Sequence, residues 1–298
     1  ASFQAISAAG AIPVACDIDP ITMGIDLNDA ERRLTSRTRA IMPVHYAGGV
    51  GDLESIYKFA KIHKLRVIED AAHAFGSLYK GQRVGAVGDI SCFSFDGIKN
   101  ITSGEGGCIV SDDKKIIEKI KDSRLLGVEN DTEKRFLGQR SWAFDVSEQG
   151  WRYHMSDIMA AIGIIQLKRF PLFIESRQRL AKLYVSKLAY VDNVEVLPND
   201  FDIVVPHIFP VIFAEEVDRD LVRKQLLSHG IQTGLHYQPN HMLSFFSDST
   251  QTSLPVTENI YTRILTLPLH AEISEDDVFF ICGILTKTLD EQRNNSEK

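Results

Sequence analysis

Short apolar runs alternate with helix-period stretches over the first 110 residues, the pattern of a sheet whose strands are joined by helices. Ile12-Pro13-Val14-Ala15-Cys16-Asp17 reads as a strand ending on a carboxylate, Asn28 to Leu34 as a helix, and Arg39 to His45 as the next strand. Gly48-Gly49-Val50-Gly51 makes a turn, after which Asp52 can cap a helix running to about Lys64. Leu65 to Asp70, Ile90 to Phe95 and Cys108 to Val110 supply three further strands, and Asp112 is placed to cap a helix to about Leu126. Short connections between such elements favour parallel pairing with right-handed crossovers.

From Ser156, a candidate N-cap, helical periodicity continues to about Leu188, with Pro171 expected to kink or break it. His207 to Phe213 is strand-like, Val217 to His229 is helical and closed by Gly230, and Ile231 to His236 reads as a further strand. Val256–Ile264 and Glu275–Glu291 are helical, and the polar tail from Arg293 to Lys298 is expected to fray. The pattern predicts the α/β class: a mostly parallel central sheet flanked by helices in a large domain over residues 1–170, then a smaller α+β domain over 171–298.

Composition narrows the function classes. With 44% hydrophobic and 24% charged residues the chain can bury a sizeable core, which excludes a disordered or fibrous protein. The 33 basic against 40 acidic residues leave −7, so no basic excess is available for a nucleic-acid backbone. No apolar stretch approaches the roughly 18 residues a membrane span needs. Cys16, Cys92, Cys108 and Cys282 lie far apart without CxxC spacing. They predict reduced thiols in a cytoplasmic protein, with neither a disulfide framework nor a metal site.

The chemistry concentrates between Glu69 and Gly107. Glu69-Asp70-Ala71-Ala72-His73 ends one predicted strand, Ser94-Phe95-Asp96-Gly97-Ile98-Lys99-Asn100 ends another, and Gly104-Glu105-Gly106-Gly107 follows. In open α/β sheets, ligands bind beyond the carboxyl ends of the strands, so an acid, a hydroxyl and a lysine converge at one edge. A lysine held in a desolvated site can form a Schiff base, and a carboxylate can pair with a protonated ring nitrogen. Those are the two groups that pyridoxal phosphate chemistry needs most. A Walker-type phosphate loop is excluded, since no GxxxxGK[ST] string occurs.

These residues, with Lys99-Asn100-Ile101-Thr102-Ser103-Gly104-Glu105-Gly106-Gly107, resemble the DegT/StrS-type nucleotide-sugar aminotransferases, which are fold-type I pyridoxal phosphate enzymes. Gly150-Trp151-Arg152-Tyr153-His154-Met155-Ser156-Asp157 followed by Ala160-Ala161-Ile162-Gly163 is similar to the entry of the family's long helix. Gly234-Leu235-His236-Tyr237-Gln238-Pro239-Asn240-His241 is similar to its small-domain loop, and Leu265-Thr266-Leu267-Pro268-Leu269 fits as well. The likeness covers essentially the whole chain.

The resemblance implies a role for each matching position. Lys99 is the Schiff-base lysine and the base that moves the substrate proton. Asp70 pairs with the pyridinium nitrogen, His73 lies beside the ring, and Ser94 donates to the cofactor phosphate. Arg152 stands where many relatives carry Asn; it is either a phosphate ligand or a surface charge. His236, Tyr237 and His241 fall on the sugar-nucleotide side, and equally suit ordinary loop packing. Trp142, Phe144 and Trp151 suit a stacked ligand or a subunit contact.

The implied activity is amino transfer from an amino acid, glutamate, to a nucleotide-linked keto-sugar, with a 4-keto-6-deoxyhexose favoured. Lipopolysaccharide or O-antigen biosynthesis is the matching role, with a homodimer as the working form. A sugar dehydratase of the same fold is the alternative, but in that branch histidine replaces the Schiff-base lysine, and Lys99 argues against it. A non-catalytic cofactor-binding dimer module is the other. The family pattern also extends roughly 80 residues upstream of the match to Ala1, including a helix N-terminus that cradles the phosphate. On that pattern the chain is expected to lack an N-terminal segment and, by itself, to bind the cofactor weakly.

Overall fold

The computed structural model describes residues 1–129, 137–138, 144–247 and 253–296. A first helix, α1 (Ser2–Ala8), leads into an extended segment that joins no ladder; the expected strand over Ile12–Asp17 does not form. Pro13 has no N–H to give, Ile12 and Val14 lie in solvent, and the Asp17 amide is taken by the Asp29 carboxylate at 2.7 Å. Helix α2 (Leu27–Arg32) follows, capped by Asp26. Strand β1 is only Ala40–Ile41, because Pro43 interrupts the ladder before Val44 bridges to Asp70.

Helix α3 (Leu53–His63) starts where Asp52 accepts from the Ser55 amide at 3.1 Å and stops at left-handed Lys64. Its buried Leu53, Ile56, Phe59 and Ala60 pack on Ile41 and Val67 of the sheet. Strand β2 (Arg66–Asp70), the short hairpin β3 (Leu78–Tyr79) and β4 (Gln82–Arg83), β5 (Ile90–Ser94) and β6 (Gly107–Val110) complete this half. The main sheet has the order β1-β2-β5-β6, with β1, β2 and β5 parallel and β6 antiparallel to β5. The reversal at β6 follows from the connection, which returns through the Gly104–Gly107 turn without a crossover helix. Helix α4 (Lys114–Ser123) is capped by Asp113, one residue beyond the expected Asp112.

Helix α5 (Asp157–Leu188) is capped by Ser156 and runs through Pro171 without a break. An interior proline costs about 3 kcal/mol. Burial of Leu180, Tyr184 and Leu188 on the same helix, about 1.5–3 kcal/mol each, offsets it. The helix runs across residue 170, where the sequence pattern placed a domain boundary.

The C-terminal half holds a three-stranded antiparallel sheet of β7 (Val194–Val196), β8 (Phe209–Phe213) and β9 (Ile264–Leu267), in that order. Around it lie α6 (Arg219–Ser228), α8 (Pro255–Arg263) and α9 (Glu275–Ser296), while the short α7 (Ser244–Ser247) sets Phe246 edge-on against Phe3. The tail expected to fray is helical as far as Ser296, and Arg293 pairs with Asp192 at 2.8 Å. Leu180 and Tyr184 of α5, Phe213, Leu265 and Leu285 form the largest core, all fully buried. The expected strand over Ile231–His236 is reduced to one bridge, in which Gly234 and Thr266 exchange two hydrogen bonds. Beyond it the chain is drawn off the sheet edge: the His236 ring bonds the Thr266 hydroxyl at 2.9 Å, and the Tyr46 hydroxyl donates to the His236 carbonyl at 2.5 Å.

Asp17 ties the start of the chain to the C-terminal half. Its carboxylate accepts from the Val256 amide (3.0 Å) and from the Thr257 amide and hydroxyl (2.9 and 2.7 Å), at the positive end of α8.

Candidate active site

Parallel pairing of β2 with β5, Asp70 opposite Cys92, brings both carboxyl ends to one edge. Asp70 closes β2, and its carboxylate accepts from the Ser2 hydroxyl at 2.6 Å and the Ala72 amide at 3.2 Å. Ser94 closes β5, and its oxygen accepts from the Asp96 amide at 3.3 Å. Asp96 in turn accepts from the Ile98 amide through its side chain and from the Lys99 amide through its carbonyl, both at 3.0 Å. This tight turn presents Lys99 at the sheet edge. The loop is locked back on β5 by Ser103, whose amide donates to the Phe95 carbonyl at 3.0 Å. Gly107 is obligatory there, since a Cβ would lie 2.5 Å from the Phe93 carbonyl oxygen.

Lys99 is half-buried. Burial lowers its pKa, and the nearby carboxylates of Asp96 and Asp70 only partly restore it. A depressed lysine holds more of the free amine, the form that attacks a carbonyl carbon.

His73 is buried on the turn after β2. Its Nε2 bonds the Tyr237 hydroxyl at 3.1 Å, while its Nδ1 has no partner among the described residues. Burial, followed by the fields of Lys99 and His236, pushes its pKa down to about 3, so the ring is neutral. Burial and Lys99 lower His236 as well; burial raises the Tyr237 hydroxyl, with Asp70 and Asp96 adding to the shift. Gly234 makes room for this arrangement, because a Cβ there would lie 2.6 Å from His236 Cε1.

Asp70, His73, Ser94 and Lys99 thus line one strand edge, and His236 and Tyr237 reach it from the C-terminal half. His241 points elsewhere: its Nε2 bonds Glu258 of α8 at 3.0 Å. Arg152 is exposed, its backbone bridging Leu125, with no side-chain partner among the described residues. Trp151 stacks on Tyr153 with ring centroids 6.0 Å apart, and Trp142 lies outside the described residues.

Sequence reasoning missed His207 and gave no role to Asn100. His207 is buried against His73, ring centroids 4.4 Å apart, and neither of its ring nitrogens has a partner among the described residues. The Asn100 amide donates to the carbonyls of Val205 (3.1 Å) and His73 (3.4 Å), fastening the lysine loop to the histidine turn. A histidine inside the apolar run Ile203 to Phe213 was the one available signal for His207. A second buried group supports β2 from behind: Glu69 accepts from the Tyr57 hydroxyl at 2.7 Å and bonds His45 Nε2 at 2.8 Å.

The family model for the DegT/DnrJ/EryC1/StrS aminotransferases matches residues 1–286. The spore coat polysaccharide biosynthesis protein SpsC of Bacillus subtilis is 32% identical over 278 residues, 90% of this chain and 71% of its own. Two solved structures superpose closely. Helicobacter pylori PseC, an aminotransferase involved in the biosynthesis of pseudoaminic acid, has a TM-score of 0.89 at 28% identity, covering 97% of this chain and 76% of that one. Spr1654 of Streptococcus pneumoniae, in a PMP form, has a TM-score of 0.90 at 27% identity, covering 98% and 79%.

Proposed function

Since the chain belongs to the DegT/DnrJ/EryC1/StrS aminotransferase family, we propose that it moves an amino group from glutamate to a nucleotide-linked keto-sugar, a 4-keto-6-deoxyhexose. It is a pyridoxal-phosphate-dependent aminotransferase. The observation that supports amino transfer at this site is the strand edge itself: a half-buried lysine of lowered pKa and a carboxylate at the ends of neighbouring parallel strands.

The side chains present fit the cofactor. Asp70 offers a carboxylate to a ring nitrogen, Ser94 a hydroxyl to a phosphate, and His73 an unpartnered buried Nδ1 beside them. Pyridoxal phosphate, when bound, supplies an electron sink for a carbanion at the donor α-carbon. Asp70 would pair with the protonated ring nitrogen; Lys99 would hold the cofactor's aldehyde carbon. Lys99 would serve as the base that holds the proton removed from the donor α-carbon and, in the reverse direction, returns one to the sugar carbon. A neutral His73 donates or accepts one hydrogen bond without adding a charge that would compete with Asp70. His236 and Tyr237 would orient the sugar, and the buried cluster excludes water from the reacting carbon.

The exposed apolar residues Ile158, Ile162 and Ile165 on the first half of α5 support a homodimer as the working form. The product would be an amino sugar for a cell-surface polysaccharide such as lipopolysaccharide O-antigen, made in the cytoplasm. The test is Lys99→Ala, assayed with glutamate and a panel of keto-sugar nucleotides. Loss of at least about a thousandfold in turnover is expected, with the circular dichroism spectrum unchanged, because the variant loses the amine that relays the proton. Turnover near the wild-type rate would refute the role of Lys99.

A further inference from the structure

Glu69, next to Asp70 in sequence, is a buried acid for which amino transfer has no direct use. Glu69 and His45 are 0% and 1% exposed. Glu69 accepts from the Tyr57 hydroxyl at 2.7 Å through Oε1 and bonds His45 Nε2 at 2.8 Å through Oε2. The Tyr57 hydroxyl accepts in turn from the Asp89 amide at 2.7 Å. Three side chains thus join the segment after β1, the middle of α3, the end of β2 and the entry to β5 in one chain of bonds.

Stability alone does not call for this cluster. Burying a carboxyl and an imidazole costs desolvation, and apolar side chains of similar volume in their place are often neutral or stabilising. The α3 face packed on the same sheet is otherwise apolar, through Leu53, Ile56, Phe59 and Ala60. What hydrogen bonds add over apolar contacts is direction, because they weaken steeply once donor and acceptor misalign. Successive side chains of a strand point to opposite faces, so Glu69 leaves β2 toward α3 and Asp70 leaves it on the other side. A turn of the strand end about its own axis would swing both together. His45 resists that turn at two points: its ring holds Glu69, and its amide donates to the Asp70 carbonyl at 3.0 Å. Pro43 adds a third, its carbonyl accepting from the Asp70 amide at 2.9 Å.

We propose that His45 and Glu69 are positioning residues for Asp70, aiming its carboxylate at the cofactor's ring nitrogen from the far side of the sheet. The inference rests on the reading of Asp70 as the partner of that nitrogen. Such a bond needs the carboxylate oxygen in line with the ring N–H. On the front, the Ser2 hydroxyl and the Ala72 amide orient the carboxyl group. The strand that carries it is fixed from behind, by His45 and Glu69, which act through Asp70 and not on the cofactor itself.

The test compares the cofactor-loaded wild type with His45→Leu/Glu69→Met, which removes both polar groups at once and leaves neither without the other. Urea unfolding of the pair variant should lie close to wild type. The nitrogen NMR resonance of ring-labelled pyridoxal phosphate bound to it should move toward that of a neutral pyridine. Its kcat should fall about tenfold with KM little changed, within the roughly 100-fold that a 1 Å misplacement can cost. Tyr57→Phe, which loosens Glu69 alone, should move the same resonance the same way by less, and it reads the clamp should the pair variant not fold. Glu69→Gln, whose amide can bond the same two partners, should recover the wild-type resonance. In an Asp70→Asn background the pair variant should cost nothing further, since the clamp has lost what it aims. A wild-type resonance in the folded pair variant, or in Tyr57→Phe if the pair does not fold, overturns the proposal. So does a shift in Glu69→Gln as large as in the pair variant, or an undiminished further loss in the Asp70→Asn background. In each of those cases a resonance that moves in Asp70→Asn alone leaves the role of Asp70 standing. An unmoved resonance in Asp70→Asn overturns that role and the proposal with it.

Discussion

Acidification from pH 7.5 to 5.5 should destabilise this fold through two buried histidines packed against each other, rings tilted by 50°. His73 and His207 are 5% and 4% exposed. Burial, then Lys99 and His236, lowers His73 to about 3; burial, then His73 and Lys99, lowers His207 to about 2. In the unfolded chain each takes a proton near pH 6.5. The unfolded state therefore binds more protons below that value, and stability must fall as the pH drops. For a group that titrates at 6.5 only when unfolded, the loss between pH 7.5 and 5.5 is about 1.4 kcal/mol, so the pair loses about 2.7 kcal/mol. His207→Phe isolates half of this, because phenylalanine keeps a ring against His73 and cannot titrate. The assay is urea unfolding followed by tryptophan fluorescence, for both proteins at both pH values. The pH-dependent loss should be about 1.4 kcal/mol smaller in the variant. Equal losses would show that His207 is protonated in the fold and that its burial does not hold it neutral.

Asp17→Ala should cost about 2–3 kcal/mol in the same unfolding assay, since two amides at the start of α8 lose their acceptor. Burial alone would raise the Asp17 pKa, but the bonds from Thr257 and Val256 outweigh it and leave it lowered. Its contribution is therefore full above the unfolded value of 3.8 and disappears as the pH falls through the folded one. Gly234→Ala should push the His236 ring off Thr266 at a cost of about 1–3 kcal/mol. It should raise the KM for the keto-sugar more than that for glutamate; equal effects on both would remove His236 from the sugar side.

Local signals in the chain were strong where one side chain decides the outcome. Asp52, Ser156 and Gly230 mark helix ends because capping is settled within three or four residues. Asp70, Ser94 and Lys99 could be placed at one edge from sequence because parallel strands joined by short connections share the side on which their carboxyl ends emerge. Where partners lie far apart in sequence, the same reading failed or was silent. Ile12–Asp17 and Ile231–His236 read as strands, yet the first joins no ladder and the second makes one bridge to β9 before His236 is held off the sheet edge by Thr266 and Tyr46. Pro171 reads as a break, but the buried face of α5 outweighs its cost, and that face exists only once the C-terminal sheet is assembled. His207 is separated from His73 by 134 positions, so no local pattern links them. The pKa values of both, and the amine of Lys99, are set by burial, a property of the packed whole that no stretch of chain carries in itself.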